Sequence, residues 1–111
     1  MMDARSLARA LKALGDAKRL RMAQEIAAAG QLSCGQGAER FNLSQPTISH
    51  HLRILAEAGV LTVRQGGQHR FISVNRHVIG ELARLLPARL TPRRRGRART
   101  TKTGMKGAGA R

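Results

Sequence analysis

The side chains that could do chemistry are concentrated in one stretch, NLSQPTISHHLRILAEAGVL, which begins at Asn42. Ser44, Gln45, Thr47, Ser49, His50, His51 and Arg53 stand there on an apolar-periodic background. Metal ligation is a poor fit, because adjacent residues on a helix diverge by about 100°, so His50 and His51 cannot easily share one ion. Catalysis is a poor fit as well. The chain holds no Gly-rich phosphate loop, no convincing carboxylate pair and no cysteine with a base partner in sequence, so no enzyme activity is expected. A surface that reads a polymer fits better. On a helix, Ile48, Leu52 and Leu55 fall within a narrow arc and face a core, while Pro46, Ser49, His50 and Arg53 lie opposite. Gln, Ser, Thr and Arg at the front of such a helix can hydrogen-bond base edges in a major groove, and the helix N-terminus favours a nearby phosphate. His51, about 60° from the core direction, reads as a packed and hydrogen-bonded boundary residue.

The elements that would position this helix are legible from spacing. Leu7, Leu11 and Leu14 form one apolar stripe on a first helix that Gly15 ends. Asp16 can cap a second helix, AKRLRMAQEIAAA, in which Leu20, Ala23, Ile26 and Ala27 share a face and Gly30 closes the end. Ser33 can cap a short third helix running to about Phe41. Ser44 is then the expected cap of the fourth, with Pro46 tolerated in the first turn, where the donors have no intrahelical partner. In VLTVRQGGQHRFISV, apolar and polar residues alternate on both sides of Gly66 and Gly67, which predicts two strands and a tight turn. Arg64, Gly67, Gln68 and Arg70 would form its basic tip, with His69 among them. Asn75 can cap a final helix carrying Val78, Ile79, Leu82 and Leu85, expected to stop before Pro87. The fold class is therefore mostly α with a β-hairpin, about five helices and two strands in the order of a winged helix-turn-helix.

Composition agrees with this reading. The chain has 111 residues, 41% of them hydrophobic, with no Trp or Tyr and two Phe, enough for one small core. A single cysteine gives no disulfide framework, so self-association is an expected source of added stability. The formal net charge is +15, from 21 basic and 6 acidic residues. Such an excess points to nucleic acid first and to an anionic membrane surface second. No run approaches the roughly 18 apolar residues of a membrane span. The Arg-rich start could pass for an organelle transit segment, but Asp3, Asp16 and the unbroken periodicity favour an ordinary helix and a cytoplasmic protein. Nine of the basic residues and no acid fall in PARLTPRRRGRARTTKTGMKGAGAR. Residues 1–86 accordingly read as the folded DNA-binding and dimerisation domain, and residues 87–111 as a basic, disordered tail suited to phosphate contacts.

With these residues in view, the segment from LGDAKRL to FISVN resembles the ArsR-type (arsenic-repressor-like) winged-helix regulators over roughly residues 5–86. Its most specific part is LSQPTISHHLRILAEAGVL followed by the basic hairpin. The resemblance implies a homodimeric repressor that binds an imperfect palindrome in double-stranded DNA upstream of its own operon. It implies recognition-helix contacts from Ser44, Gln45, Thr47, Ser49 and His50, and wing contacts from Arg64 and Arg70. It also implies a dimer interface on the first and last helices, here Leu7, Leu11, Leu14, Val78, Ile79, Leu82 and Leu85.

The family's sensing motifs do not carry over. Where metal-sensing members place two cysteines around one residue, this chain has Ser33, Cys34 and Gly35. Where others place a zinc site on the last helix, it has Asn75 and His77 and no later ligand. No metal site or cofactor is expected, and no effector is identified. Cys34 reads by default as a small packed or helix-start residue, with a redox thiol as the alternative. Two functional readings remain: a sequence-specific repressor, and an architectural, largely nonspecific nucleic-acid binder dominated by its tail.

Overall fold

A computed structural model describes residues 2–92 of the chain. Five helices and three strands follow in the order α1 (Ala4–Leu14), α2 (Ala17–Ala29), β1 (Leu32–Ser33), α3 (Cys34–Phe41), α4 (Gln45–Glu57), β2 (Leu61–Gly66), β3 (His69–Val74) and α5 (Arg76–Leu90). Four helix starts are capped by side chains, each satisfying an amide that has no intrahelical acceptor. Asp3 accepts from Ser6 N at 2.8 Å, Asp16 from Arg19 N at 3.0 Å, and Asn75 from Val78 N at 3.3 Å. Ser33 and Gln36 form a reciprocal capping box at the start of α3. These amide bonds hold the Asp3 and Asp16 carboxyls below the ordinary aspartate range.

The turn between α3 and α4 is made by Asn42 in the left-handed region, at φ 51°, a conformation asparagine adopts more readily than most residues. The other end of α4 closes with Gly59 N donating to Ala56 O and Val60 N to Leu55 O. That pair of bonds is a Schellman motif, and it turns the chain so that Val60 and Leu61 enter the core.

The core gathers Leu7, Ala10 and Ala13 of α1, Met22 and Ile26 of α2, Leu32, Ile48, Leu52 and Leu55 of α4, Val60, Leu61, Ile72 and Leu82. The sheet is antiparallel in the order β1-β3-β2. Leu61 pairs with Val74, Val63 with Ile72, and Arg64 with Phe71. Only the end of the hairpin near the core is buried, through Leu61 and Ile72, while Gly67, Gln68, His69 and Arg70 at its tip are exposed.

Four expectations need correction. The sheet has a third strand, since Leu32 and Ser33 pair with Ile72 and Phe71; a two-residue strand carries no alternation of its own. The last helix does not stop before Pro87 but runs to Leu90. Proline removes one donor and strains the preceding turn, yet Ala83, the carbonyl residue affected, is exposed and can turn to water. The expected tail therefore begins in helix, and residues 93–111 lie outside those described. On α2, Leu20 is 43% exposed and Met22 takes the core position instead. Within the expected dimer stripe, Leu7, Leu82 and Leu85 are buried inside this chain, while Leu11 and Ile79 are each 37% exposed.

Candidate nucleic-acid interface

The candidate surface is the outer side of α4 and the hairpin beside it. Ile48, Leu52 and Leu55 anchor α4, the first and last with essentially no exposure and Leu52 at 9%. Because they share one face, Ser44, Gln45, Ser49, His50 and Arg53 are all held exposed on the other side, with Thr47 half-buried at its margin. Arg53 Nη2 donates toward His50 Nδ1 at 3.4 Å, which requires a lone pair on that nitrogen.

Ser44 departs from its expected role. It occupies the backbone cap position, where its carbonyl accepts from Ile48 N at 3.0 Å, but its hydroxyl caps nothing. Ser44 Oγ instead lies 2.8 Å from Thr47 Oγ1, both near the protein surface. The first-turn amides of α4, one fewer because of Pro46, are left without a side-chain acceptor.

His51 is half-buried as expected, but its Nδ1 is buried without a hydrogen-bond partner. Burial is the main cause that lowers its pKa below the usual histidine range. Asp16 opposes that shift, and Arg19, His50 and Lys18 add to it.

The hairpin separates two arginines that the sequence had grouped together. Cross-strand partners share a face of the sheet. Arg64 pairs with Phe71 and Arg70 with Gln65, so the two guanidinium groups leave opposite faces. Arg64 stacks over the Phe71 ring, 5.1 Å from its centroid, and reaches Gln31 Oε1 at 3.4 Å. Its face supports the hairpin. Gly66 is part of that support, since a Cβ there would come within 2.8 Å of the Phe71 ring. Gly67, with φ 62° at the first position of a two-residue turn, fits a II′ geometry that Gln65 closes by donating to Gly67 O at 3.0 Å. Gln68 and His69 stand exposed at the tip.

Arg70 faces the other way, toward α4. Between the hairpin and that helix runs an open cleft of about 410 Å³ lined by Gln45, Ser49 and Arg53 on one wall and Val63, Arg70 and Ile72 on the other. Cys34, half-buried at the start of α3, also lines it. Glu57 marks the end of the cleft at the last turn of α4. Among the described residues no group of three His, Cys, Asp or Glu side chains stands close enough to hold a metal ion. The arrangement can donate to anions along the cleft and offer amide, hydroxyl and guanidinium groups to base edges from α4.

A buried-core helix with an exposed polar front, set beside a projecting hairpin, defines a winged helix-turn-helix DNA-binding domain. Comparisons with known proteins agree. A family model for a helix-turn-helix domain matches residues 14–64. The transcriptional repressor SdpR of Bacillus subtilis is 40% identical over 68 residues, covering 61% of this chain and 74% of that one. The arsenical resistance operon repressor of Staphylococcus aureus is 28% identical over 103 residues, covering 93% and 98%. A homodimeric winged helix-turn-helix domain from Mycobacterium bovis, a possible ArsR-family regulator, shares the fold at a TM-score of 0.64 with 22% identity, over 79% of this chain and 85% of that one. The chain belongs to the ArsR-type winged helix-turn-helix family of DNA-binding transcriptional regulators. Among the described residues no helix is long and apolar enough to cross a membrane.

Proposed function

We propose that the protein is a homodimeric, cytoplasmic repressor of its own operon, with α4 in the major groove of an imperfectly palindromic operator. The observation that carries the reading is the cleft between α4 and the hairpin, with Gln45, Ser49 and Arg53 facing Arg70 across it. A helix seated in a major groove leaves a phosphate strand beside it, and a hairpin that overhangs that strand can clamp it. In this reading Gln45, Ser49, His50 and Arg53 meet base edges, Ser44 and Thr47 meet phosphate, and Arg70 grips the strand in the cleft. Gly67 and Gln68 bring the turn close to the adjacent minor groove, and Arg64 holds the hairpin in shape from behind. The basic C-terminal segment adds sequence-independent affinity.

A second copy is required by arithmetic, because one such module reads only a few base pairs. Leu11 and Ile79 on α1 and α5 remain exposed for that contact, with Leu14 and Val78 half-buried beside them. The named regulators of similar sequence, one of them a repressor of an arsenical resistance operon, support the repressor reading.

The test is fluorescence anisotropy on the DNA upstream of the protein's own gene and on a scrambled duplex of equal length, near physiological salt. Much tighter binding to the upstream duplex is expected. Equal binding to both would contradict autoregulation and favour an architectural role.

A further inference from the structure

A helix in the major groove has phosphate strands on both sides, yet the cleft accounts for only one of them. The positions on α4 that face the cleft, Gln45, Ser49 and Ala56, lie about half a turn around the helix from Thr47 and His51, at about 100° per residue. That second flank faces α2. His51 is close enough to the start of α2 to feel the charges of Asp16, Lys18 and Arg19. Lys18, Arg21 and Arg40 line a hollow together with Met22, Glu25 and the segment Phe41, Asn42 and Leu43, which leads into α4.

The carboxylates in this region are already engaged. Glu25 is bridged to Arg40 at 3.5 Å, and Asp16 caps α2 through Arg19 N. Lys18 and Arg21, one helical turn apart and both exposed, have no carboxylate within salt-bridge distance among the described residues. The paired hydroxyls of Ser44 and Thr47 lie at the same end of α4.

Resting on the DNA-binding reading, we infer that Lys18 and Arg21 form a second phosphate-binding flank, which holds the DNA strand on the side of α4 opposite the hairpin. The helix would then be gripped from both sides, by Arg70 on one strand and by Lys18 and Arg21 on the other. Cationic grips on two separate elements, β3 and α2, fix the angle at which α4 enters the groove, as one alone would not. The contact carries no base information, so its loss weakens all DNA alike.

The experiment measures full-length protein on the upstream duplex and on an unrelated duplex across a KCl series. It compares wild type, Lys18→Ala/Arg21→Ala, Arg70→Ala and Arg76→Ala. Arg76 lies beside Gly30 at the far end of α2 and gives the effect of removing one remote charge. The double variant should bind both duplexes more weakly, with the slope of log K against log salt shallower by about 0.9 for each lost phosphate contact per protomer. Its melting temperature should match wild type, since neither side chain is packed. Within each half-site, hydroxyl-radical footprints should lose protection on one strand for the double variant and on the opposite strand for Arg70→Ala, the pattern exchanging strands across the two-fold axis. A double variant no different from Arg76→Ala, with Arg70→Ala still impaired, would overturn the second flank and leave the DNA-binding reading standing. A wild type that binds neither duplex would overturn both.

Discussion

Ser33 begins α3 and Ser44 begins α4, and each is followed by a polar residue three positions later, yet the two hydroxyls do opposite things. Ser33 Oγ accepts from Gln36 N at 3.2 Å while Gln36 Oε1 accepts from Ser33 N at 2.9 Å, so the polar groups there are spent on the helix itself. Ser44 Oγ meets only Thr47 Oγ1, and the amides behind it stay open. Burying neither helix start, the protein satisfies one with its own side chains and leaves the first-turn amides of the other without a side-chain acceptor. What separates the two helix fronts is how far the fold uses their polar groups, since residue type alone would have made them equal.

The difference predicts separable effects. Gln45→Ala and Ser49→Ala should each reduce discrimination between operator and scrambled DNA by about 1–3 kcal/mol per base contact, with melting temperature unchanged. Unaltered discrimination in the double variant would show that Gln45 and Ser49 do not read bases. Ser33→Ala should do the reverse, costing about 0.5–2 kcal/mol of stability through the lost cap while preserving base preference. Ser44→Ala sharpens the contrast: thermal denaturation should register much less than for Ser33→Ala, and DNA affinity should drop. The two hairpin arginines extend the comparison. Arg70→Ala should flatten the salt dependence of binding, whereas Arg64→Ala should cost about 0.5–1 kcal/mol of stability through the lost stack on Phe71 and leave the salt slope near wild type. Equal slopes for the two variants would place both guanidinium groups on DNA.

The smallest effect concerns pH. The folded His51 pKa lies below that of the unfolded chain, so as pH falls through the unfolded value the unfolded state binds the proton first and stability declines. Melting temperature should therefore fall more steeply in mild acid for wild type than for His51→Gln. Parallel curves would mean that burial of this ring does not penalise its charge.

Much of this architecture is legible in sequence because it is local. The caps at Asp16, Ser33 and Asn75, the buried triad of α4 and the hairpin around Gly67 each follow from residues within a few positions of one another. What escaped depends on partners far along the chain. β1 exists only through its pairing with β3, and Met22 displaces Leu20 from the core because of where α4 and the sheet lie. Pro87 is an ordinary stop signal in sequence, yet a helix can pass through proline where the freed carbonyl meets water. The role of Gln31 beneath Arg64 has no sequence signal, since it joins residues 33 positions apart. The opposed faces of Arg64 and Arg70 did have one: across a two-residue turn, every cross-strand pair joins an even position to an odd one, which places these two even positions on opposite faces. Lys18 and Arg21 carry no pattern of their own in the sequence, and only the fold sets them beside the turn that leads into α4.

The most direct test of the central claim is selection from a pool of randomised duplexes by wild type and by Gln45→Ala/Ser49→Ala. Wild type should enrich an inverted repeat whose half-sites are centred about one helical turn apart, or a multiple of it. The double variant should lose the half-site bases while still retaining random DNA. A pool left random by wild type, or the same motif enriched by the variant, would contradict the assignment of sequence recognition to α4.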